Sequence, residues 1–96
     1  MIEEETIQLY DAIKQMRMLS HEDKTFSFMH ATYNRDTDTT NGFRHVERAH
    51  LRPAAKGEDL ANSDYKLFYF DEILNEPRNC WQMLIMQFNG QRVVLN

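Results

Sequence analysis

Apolar residues in the N-terminal part of the chain recur at helical spacing. At about 100° per residue, residues 2–19 divide into an apolar side and a polar side. Lys14 and Arg17 follow a run of acidic residues, an order that suits the helix dipole. The pattern therefore predicts an amphipathic helix over residues 2–19. Its apolar side comprises Ile2, Leu9, Ala12, Ile13, Met16 and Leu19.

Beyond residue 23, apolar positions alternate with polar ones, and aromatic and β-branched residues become frequent. Both features are typical of β-strands. Asn89 and Gly90 separate two apolar segments and both tolerate positive φ, so they predict a two-residue type I′ hairpin. Together these signals predict five strands, over residues 24–34, 43–52, 65–71, 79–88 and 91–95.

The first two predicted strands have complementary faces when Asn34 is set against Phe43 and Phe26 against Leu51. In this register one face is largely apolar. The opposite face carries basic residues of the second strand beside Tyr33, as expected for an antiparallel pair with one face in solvent. The residues of this basic face are Arg44, Arg48, His50 and Arg52.

The third and fourth predicted strands are apolar on both faces. One helix covers only one face of a sheet, so we expect the second face to be covered by another chain or by curling of the sheet. The predicted fold is α+β, with the N-terminal amphipathic helix packed on a curved, mostly antiparallel, barrel-like sheet of five strands. In the fourth strand, Cys80, Leu84, Met86 and Phe88 share one face and Trp81, Met83 and Ile85 share the other.

Size and composition fit a single domain covering residues 1–96. The hydrophobic share of 42% excludes a disordered chain, and the net charge of −4 argues against bulk attraction to nucleic acid or anionic membranes. One cysteine and an acidic start, Glu3 to Glu5, are unlike a small secreted domain with a signal peptide. We therefore expect a protein of the cytoplasm, or of a particle assembled there, without a membrane partner.

The chain lacks the residue spacings that common catalytic and metal sites require. Neither Cys-x-x-Cys nor His-Glu-x-x-His occurs, and His45 and His50 would point to opposite faces of a strand. Asp36 and Asp38 have the spacing of a calcium loop, but no predicted helix flanks them. Cys80 lies in an apolar strand, where an inert buried thiol is usual. We therefore expect no enzyme, no catalytic residue, no metal and no cofactor.

The basic strand is the strongest candidate for a binding site. Arginines beside an aromatic side chain on an open sheet can bind phosphates and stack on bases, so a small nucleic-acid-binding module is one hypothesis. The same residues also fit a solvated strand face that resists aggregation, or a contact for an acidic protein surface. The candidate binding residues are Tyr33, Arg44, Arg48, His50 and Arg52.

Two segments, Arg48-Ala-His-Leu-Arg52 and the run from Cys80 to Leu95, resemble small uncharacterised proteins of prophages and mobile elements of gut Bacteroidetes. The resemblance extends over residues 24–96 and includes no catalytic motif. It implies a role in particle assembly or DNA handling, and a phage particle as one location. Our leading hypothesis is a non-enzymatic assembly or interaction protein of phage origin. Its expected partner is another copy of the chain or another protein, nucleic acid is the alternative, and no feature indicates a small-molecule substrate.

Overall fold

The computed structural model describes residues 5–34, 39–55, 57–58 and 64–95. In these ranges one α-helix packs on one face of a seven-stranded mixed sheet. The α+β class predicted from the sequence is confirmed. The elements are β1 (Thr6–Gln8), α1 (Leu9–His21), β2 (Phe26–Asn34), β3 (Thr39–Leu51), β4 (Lys66–Asp71), β5 (Glu76–Trp81), β6 (Ile85–Phe88) and β7 (Gln91–Val94), with a 3-10 turn at Gln82–Leu84.

The strands lie in the order β1-β7-β6-β2-β3-β4-β5. β1 and β7 are parallel, and the other neighbouring pairs are antiparallel. β1 and β5 form the two edges of the described sheet, so it is open rather than closed into a barrel. The expectation of five strands in a barrel-like sheet is therefore wrong, for two reasons that lie in particular segments.

The first reason is that the predicted strand 79–88 is two strands. The turn Gln82–Leu84 separates β5, at one edge, from β6, which lies beside β2 in the middle of the sheet. The methionine and leucine of this turn prolong the apolar run, and alternation does not reveal a break inside such a run. β6 is itself irregular, because its pairing with β2 shifts register between Gln87 and Ile85, and both Ile85 and Phe88 are buried.

The second reason lies at the N-terminal end, where Thr6–Gln8 forms β1 and the helix begins at Leu9 instead of residue 2. β1 pairs in parallel with β7, and this pairing buries the side chain of Ile7 in the core. The contact joins distant parts of the sequence and outweighs the local helical periodicity. Ile2, predicted on the apolar side of the helix, lies outside the described residues.

The core lies between α1 and the sheet face that carries it, which we call the inner face. Within one buried cluster, the Phe28 ring centroid lies 4.9 Å from that of Tyr69 and 5.7 Å from that of Phe26. Aromatic side chains contribute much of the apolar area that a small domain can bury. The opposite face of the sheet is called the outer face below. The buried residues of α1 are Leu9, Ala12, Ile13 and Met16.

Asn89 and Gly90 form the hairpin between β6 and β7 that the sequence predicts. Their φ values are 47° and 84°, and Phe88 pairs with Gln91 across the turn, as a two-residue type I′ hairpin requires. Asn89 also fixes the turn to β2. Its Oδ1 accepts a hydrogen bond from the Ser27 backbone N–H at 2.9 Å, and its own N–H donates to the Ser27 carbonyl at 2.9 Å. One residue thus sets both the turn and the approach of β6 to β2.

Replacing Asn89 by alanine should lower the free energy of unfolding by about 2 kcal/mol. About 1 kcal/mol comes from the positive φ, which alanine disfavours, and about 1 kcal/mol from the lost acceptor for the Ser27 N–H. The matched change Asn89→Asp keeps a side-chain oxygen and tolerates the same backbone, so its cost should stay below about 0.5 kcal/mol. Urea denaturation measures both values, and equal losses in the two variants would contradict this account of the turn.

Candidate functional site

A β-bulge in β3 separates the predicted basic residues from one another. Between Val46 and Ala49, both buried on the inner face, two residues of β3 lie opposite the single residue Ser27 of β2. The extra residue reverses the alternation, so side chains before and after the bulge lie on opposite faces. The expected register is wrong because β3 begins at Thr39 instead of residue 43, so Asn34 pairs with Thr39. Irregularities along the pair then shift the register further, and Phe26 lies opposite Ala49 instead of Leu51.

The basic face expected from the sequence is therefore not one surface. For residues 33–34 and 39–41 the structure describes the backbone alone. Tyr33 is therefore placed in β2 by its backbone only. His50 and Arg52 follow the bulge and lie beside β4, whereas Arg44 precedes the bulge and faces the inner side. Arg44 lies on the inner face, Arg48 is exposed in the bulge, His50 and Arg52 lie on the outer face, and Tyr33 belongs to β2.

Arg52 makes its hydrogen bonds inside the protein. Its Nε donates to the Tyr69 carbonyl at 3.0 Å, and its Nη2 donates to the Arg78 carbonyl at 2.8 Å. Its Nη1 donates to the Pro53 carbonyl at 3.0 Å, and the two Nη atoms reach both carboxylate oxygens of Glu58 at 2.6 and 3.1 Å. These contacts use all the N–H donors of a guanidinium. Arg52 therefore holds β3, β4 and β5 together and has no donor left for a ligand.

Arg52 and His50 also cover the outer face of β4. The guanidinium carbon of Arg52 lies 5.8 Å from the centroid of the Phe68 ring, which is buried. The His50 ring stacks on Phe70 at 5.4 Å, and its Nδ1 lies 2.8 Å from a carboxylate oxygen of Glu72. The sequence predicts that β4 needs a second cover, and side chains of the neighbouring strand supply much of it. Barrel closure is not needed for this purpose.

Glu58 is held in its ionised form by this arrangement. The hydrogen bond from Arg52 lowers the pKa of the Glu58 carboxyl from 4.5 to about 2, although burial opposes the shift. The Ala55 N–H at 2.6 Å and the Asn79 side-chain amide at 2.9 Å also donate to this carboxylate. The connection after β3 is thus tied to β5 by a charged network, and Glu58 and Arg52 act as a structural pair.

A buried polar pair lies under the same strands. His30 Nδ1 lies 3.1 Å from the Ala31 carbonyl, which can only accept, so this nitrogen carries the proton. His30 Nε2 then accepts a hydrogen bond from the Tyr69 hydroxyl at 3.0 Å. Burial lowers the pKa of His30, and the positive charges of Arg44 and Arg78 lower it further. His30 is therefore a neutral ring fixed in one orientation.

Next to His30 an open cleft of about 330 Å³ lies between β2 and β5. Arg44, Lys66 and Arg78 give its wall three cationic side chains, and no carboxylate lines it among the described residues. Asn79 and Trp81 add an amide and an aromatic ring, and the cleft lies at the end of the buried His30–Tyr69 pair. The lining residues are His30, Ala31, Thr32, Arg44, Lys66, Arg78, Asn79, Cys80 and Trp81.

The short connection between β5 and β6 explains why β2 and β5 meet. Four strand spacings separate β5 from β6 in the sheet order, or about 19 Å if the sheet were flat. The chain from Trp81 to Ile85 spans at most about 14 Å even when fully extended, and it contains a 3-10 turn. The sheet must therefore bend, without closing, and the bend brings β5 toward the end of β2.

Arg78 has an unusual hydrogen-bonding state in this cleft. Its Nη2 donates to a carboxylate oxygen of Glu76 at 2.6 Å. Its Nε is buried and has no hydrogen-bond partner. An unpaired buried donor costs about 1–3 kcal/mol, so native proteins leave few of them and often satisfy them with a water or an ion. Arg78, which lines the cleft, therefore has one buried N–H donor that no other group of the described chain accepts from.

The structure bears on two other kinds of site considered from the sequence, a reactive cysteine and a metal centre. Cys80 is buried, and burial raises the pKa of its thiol to about 12, so it does not supply a thiolate near neutral pH. Within the described ranges, histidine, cysteine and carboxylate side chains form no group of three or more that could hold a metal ion. Asp36 and Asp38, considered as a calcium loop, lie outside the described residues.

The outer face of the middle strands carries an apolar surface, which we call the outer patch. Phe43 pairs with Ala31, and Met29 lies on the same face two residues along β2. Phe43 is 65% exposed. Met86 is 40% exposed and precedes Gln87, the residue of β6 that pairs with Met29. The helix covers only the inner face. The outer patch thus consists of Met29, Phe43 and Met86, whereas Ala31 is buried.

Sequence reasoning missed most of the cleft. Arg44 was among the predicted site residues, but on the wrong face, because the bulge is invisible in the pattern. The pattern places Lys66 and Trp81 in the predicted strands 65–71 and 79–88, and it leaves Arg78 outside every predicted strand. The one signal that could have found them is Pro77, because proline is confined to edge strands and an edge strand leaves its basic neighbours accessible.

No protein-family model, curated protein or solved structure matches this chain. The described part of the chain holds no helix with the length and apolar character that a membrane crossing needs.

The change Tyr69→Phe should lower the free energy of unfolding by about 1–3 kcal/mol, because it leaves the buried Nε2 of His30 without a donor. The matched control is Tyr65→Phe, at a tyrosine that is 65% exposed, and it should change stability by less than about 0.5 kcal/mol. Urea denaturation at neutral pH measures both variants. A Tyr69→Phe protein as stable as the control would show that the His30–Tyr69 bond does not stabilise the fold.

The Glu58–Arg52 pair should make stability depend on acid pH. The folded-state pKa of Glu58, about 2, lies below the ordinary value of 4.5, so the pair contributes its full stability above about pH 4.5. This contribution falls as the pH drops through the folded-state pKa. The difference in unfolding free energy between wild type and Glu58→Gln should therefore shrink from pH 6 toward pH 2, as measured by urea denaturation. A difference that stays constant over this range would contradict the assignment.

Proposed function

We propose that this chain is a non-enzymatic interaction protein that associates with a second copy of itself through the outer patch. The observation that carries the proposal is the exposed apolar surface on β6, β2 and β3, of which Phe43 is the most accessible member. Contiguous exposed apolar surface on a small domain commonly marks a contact with another protein. The resemblance to prophage and mobile-element proteins leads us to propose further that this contact serves particle assembly.

The sheet edges make association by strand addition less favourable than association through a face. β1 has three residues, and β5 contains Pro77, which lacks a backbone N–H. Short edge strands and edge prolines are the usual means by which proteins prevent pairing of sheet edges. The outer patch has no such protection, so it is the more favourable contact.

The charged residues beside the outer patch suit a contact between two identical surfaces. Glu47 and Arg48 are adjacent, exposed and opposite in charge, and both follow Phe43 in β3. In a contact with two-fold symmetry, both copies use the same surface, and a residue pair formed in one direction is also formed in the other. Glu47 of one copy can then lie near Arg48 of the second copy, which favours self-association over contact with a surface of one charge sign.

The alternative expected from the sequence, nucleic-acid binding by the basic strand, has less support. Its residues lie on different faces, and Arg52 has no free donor for a phosphate. His50 contacts Glu72 and Phe70. Arg48 is the exposed member of the set, and one arginine on an acidic protein is a weak basis for binding a polyanion.

Sedimentation velocity from about 10 to about 200 µM should reveal a concentration-dependent dimer, since this range spans interfaces of weak to moderate affinity. The change Phe43→Ser should raise the dissociation constant by about tenfold or more, because it removes the most exposed apolar side chain of the outer patch. The matched control is Ile73→Ser, at a residue that is 52% exposed in the turn after β4 and away from the patch.

Circular dichroism should show that both serine variants keep the wild-type fold. A wild-type protein that stays monomeric throughout this concentration range would overturn the proposal. Equal weakening by Phe43→Ser and Ile73→Ser would also overturn it, because the contact would then not involve the outer patch.

A further inference from the structure

The cleft between β2 and β5 differs in its charge from two other cavities of the described chain. Two smaller cavities, each of about 250 Å³, contain carboxylates: Asp64 in one, Asp23 and Glu72 in the other. The β2–β5 cleft combines Arg44, Lys66 and Arg78 with no carboxylate among its described lining residues. This group of three positive charges is opposite in sign to the net charge of the chain, which is −4.

Arg78 supplies the first directional contact. Glu76 takes one Nη atom of its guanidinium, and the buried Nε remains without a partner. An anion in the cleft would meet the guanidinium of Arg78, which lines it. The residue is also fixed in place, because its backbone carbonyl accepts a hydrogen bond from Arg52 at 2.8 Å.

Arg44 supplies the second contact from the opposite wall. It lies on the inner face of β3, opposite His30, and is partly buried. Arg44, Arg78 and His30 line the same cleft, so two guanidinium groups border one small volume. His30 itself is neutral, so the floor of the cleft neither repels nor neutralises an anion.

We propose that the cleft binds the phosphate group of a small phosphorylated molecule, with Arg44 and Arg78 as the principal donors. A phosphate offers more acceptor oxygens than a carboxylate and so can meet donors from both walls at once, and arginine suits its geometry. Lys66 adds positive charge and Asn79 adds an amide donor. Ligand pockets usually have volumes of about 300–1,000 Å³. The cleft is at the small end, which leaves room for a phosphate and a short organic group.

Trp81 provides a direct reporter for this site. It is the only tryptophan in the sequence, it lines the cleft, and Lys66 Nζ lies 4.8 Å from the centroid of its ring. An anion that attracts Lys66 should change the tryptophan fluorescence. The Nε–Hε signal of Arg78 in a proton–nitrogen NMR spectrum is a second and independent readout of the same event.

The experiment titrates the full chain with inorganic phosphate, and then with phenyl phosphate, at constant ionic strength set by sodium chloride. We expect at least one of the two readouts to saturate below about 10 mM phosphate, a weak affinity suited to a fragment of the true ligand. Sodium acetate and dimethyl phosphate are the comparison probes. They represent a carboxylate and a phosphodiester, and we expect both to bind at least about tenfold more weakly.

The variant Arg44→Gln should weaken phosphate binding by about tenfold or more, because it removes a charged donor. The matched control is Arg17→Gln, at an exposed arginine of α1 that does not line the cleft, which should change the affinity by less than about twofold. The free energy of unfolding of both variants, from urea denaturation, should stay within about 0.5 kcal/mol of the wild-type value, since neither change removes a core contact.

Three results would overturn the proposal. One is that neither readout saturates with phosphate or phenyl phosphate beyond the effect of chloride. Another is that Arg44→Gln binds phosphate as well as Arg17→Gln. The last is that acetate or dimethyl phosphate binds as tightly as phosphate. None of these results bears on dimerisation through the outer patch, so this proposal and the proposed function can fail separately.

Discussion

The three residues between β5 and β6 impose the constraint on which the other features depend. They connect an edge strand to a strand in the middle of the sheet, and a flat sheet would place those strands too far apart. The sheet bends toward the side that carries the helix. The bend creates a cleft on the inner side, where β5 meets β2, and it leaves the outer side of β6, β2 and β3 without a cover. Both candidate binding surfaces therefore have one geometric origin.

The covering of β4 shows how a chain of this size can bury a second sheet face without a second layer. Phe68 and Phe70 are covered by Arg52 and His50 from the adjacent strand, not by another helix. An arginine whose N–H donors are all satisfied can cover an aromatic ring with its apolar stem and the flat face of its guanidinium. Glu58 pairs with the Arg52 guanidinium, and a carboxylate oxygen of Glu72 lies 2.8 Å from His50 Nδ1. A basic strand in a sequence can thus be a structural layer instead of a binding surface.

Local signals allowed much of the fold to be predicted. The α+β class and the Asn89–Gly90 hairpin follow from short-range periodicity and turn chemistry. Two features did not follow because they depend on distant pairings. The parallel partner of Thr6–Gln8 is β7, and the bulge beside Arg48 becomes visible only when β2 is laid against β3. The cleft was missed for the same reason, since its walls come from strands that lie apart both in the sequence and in the sheet order.

The parallel pairing of β1 with β7 has a consequence for synthesis of the protein. Ile7 is buried only when Val93 lies beside it, so this edge of the sheet cannot form until the last strand has left the ribosome. Pairings between distant segments form slowly because the chain must first close a large loop. The helix can form early, but its docking surface remains incomplete until translation of β7. During this interval the nascent chain exposes apolar side chains to which a chaperone could bind.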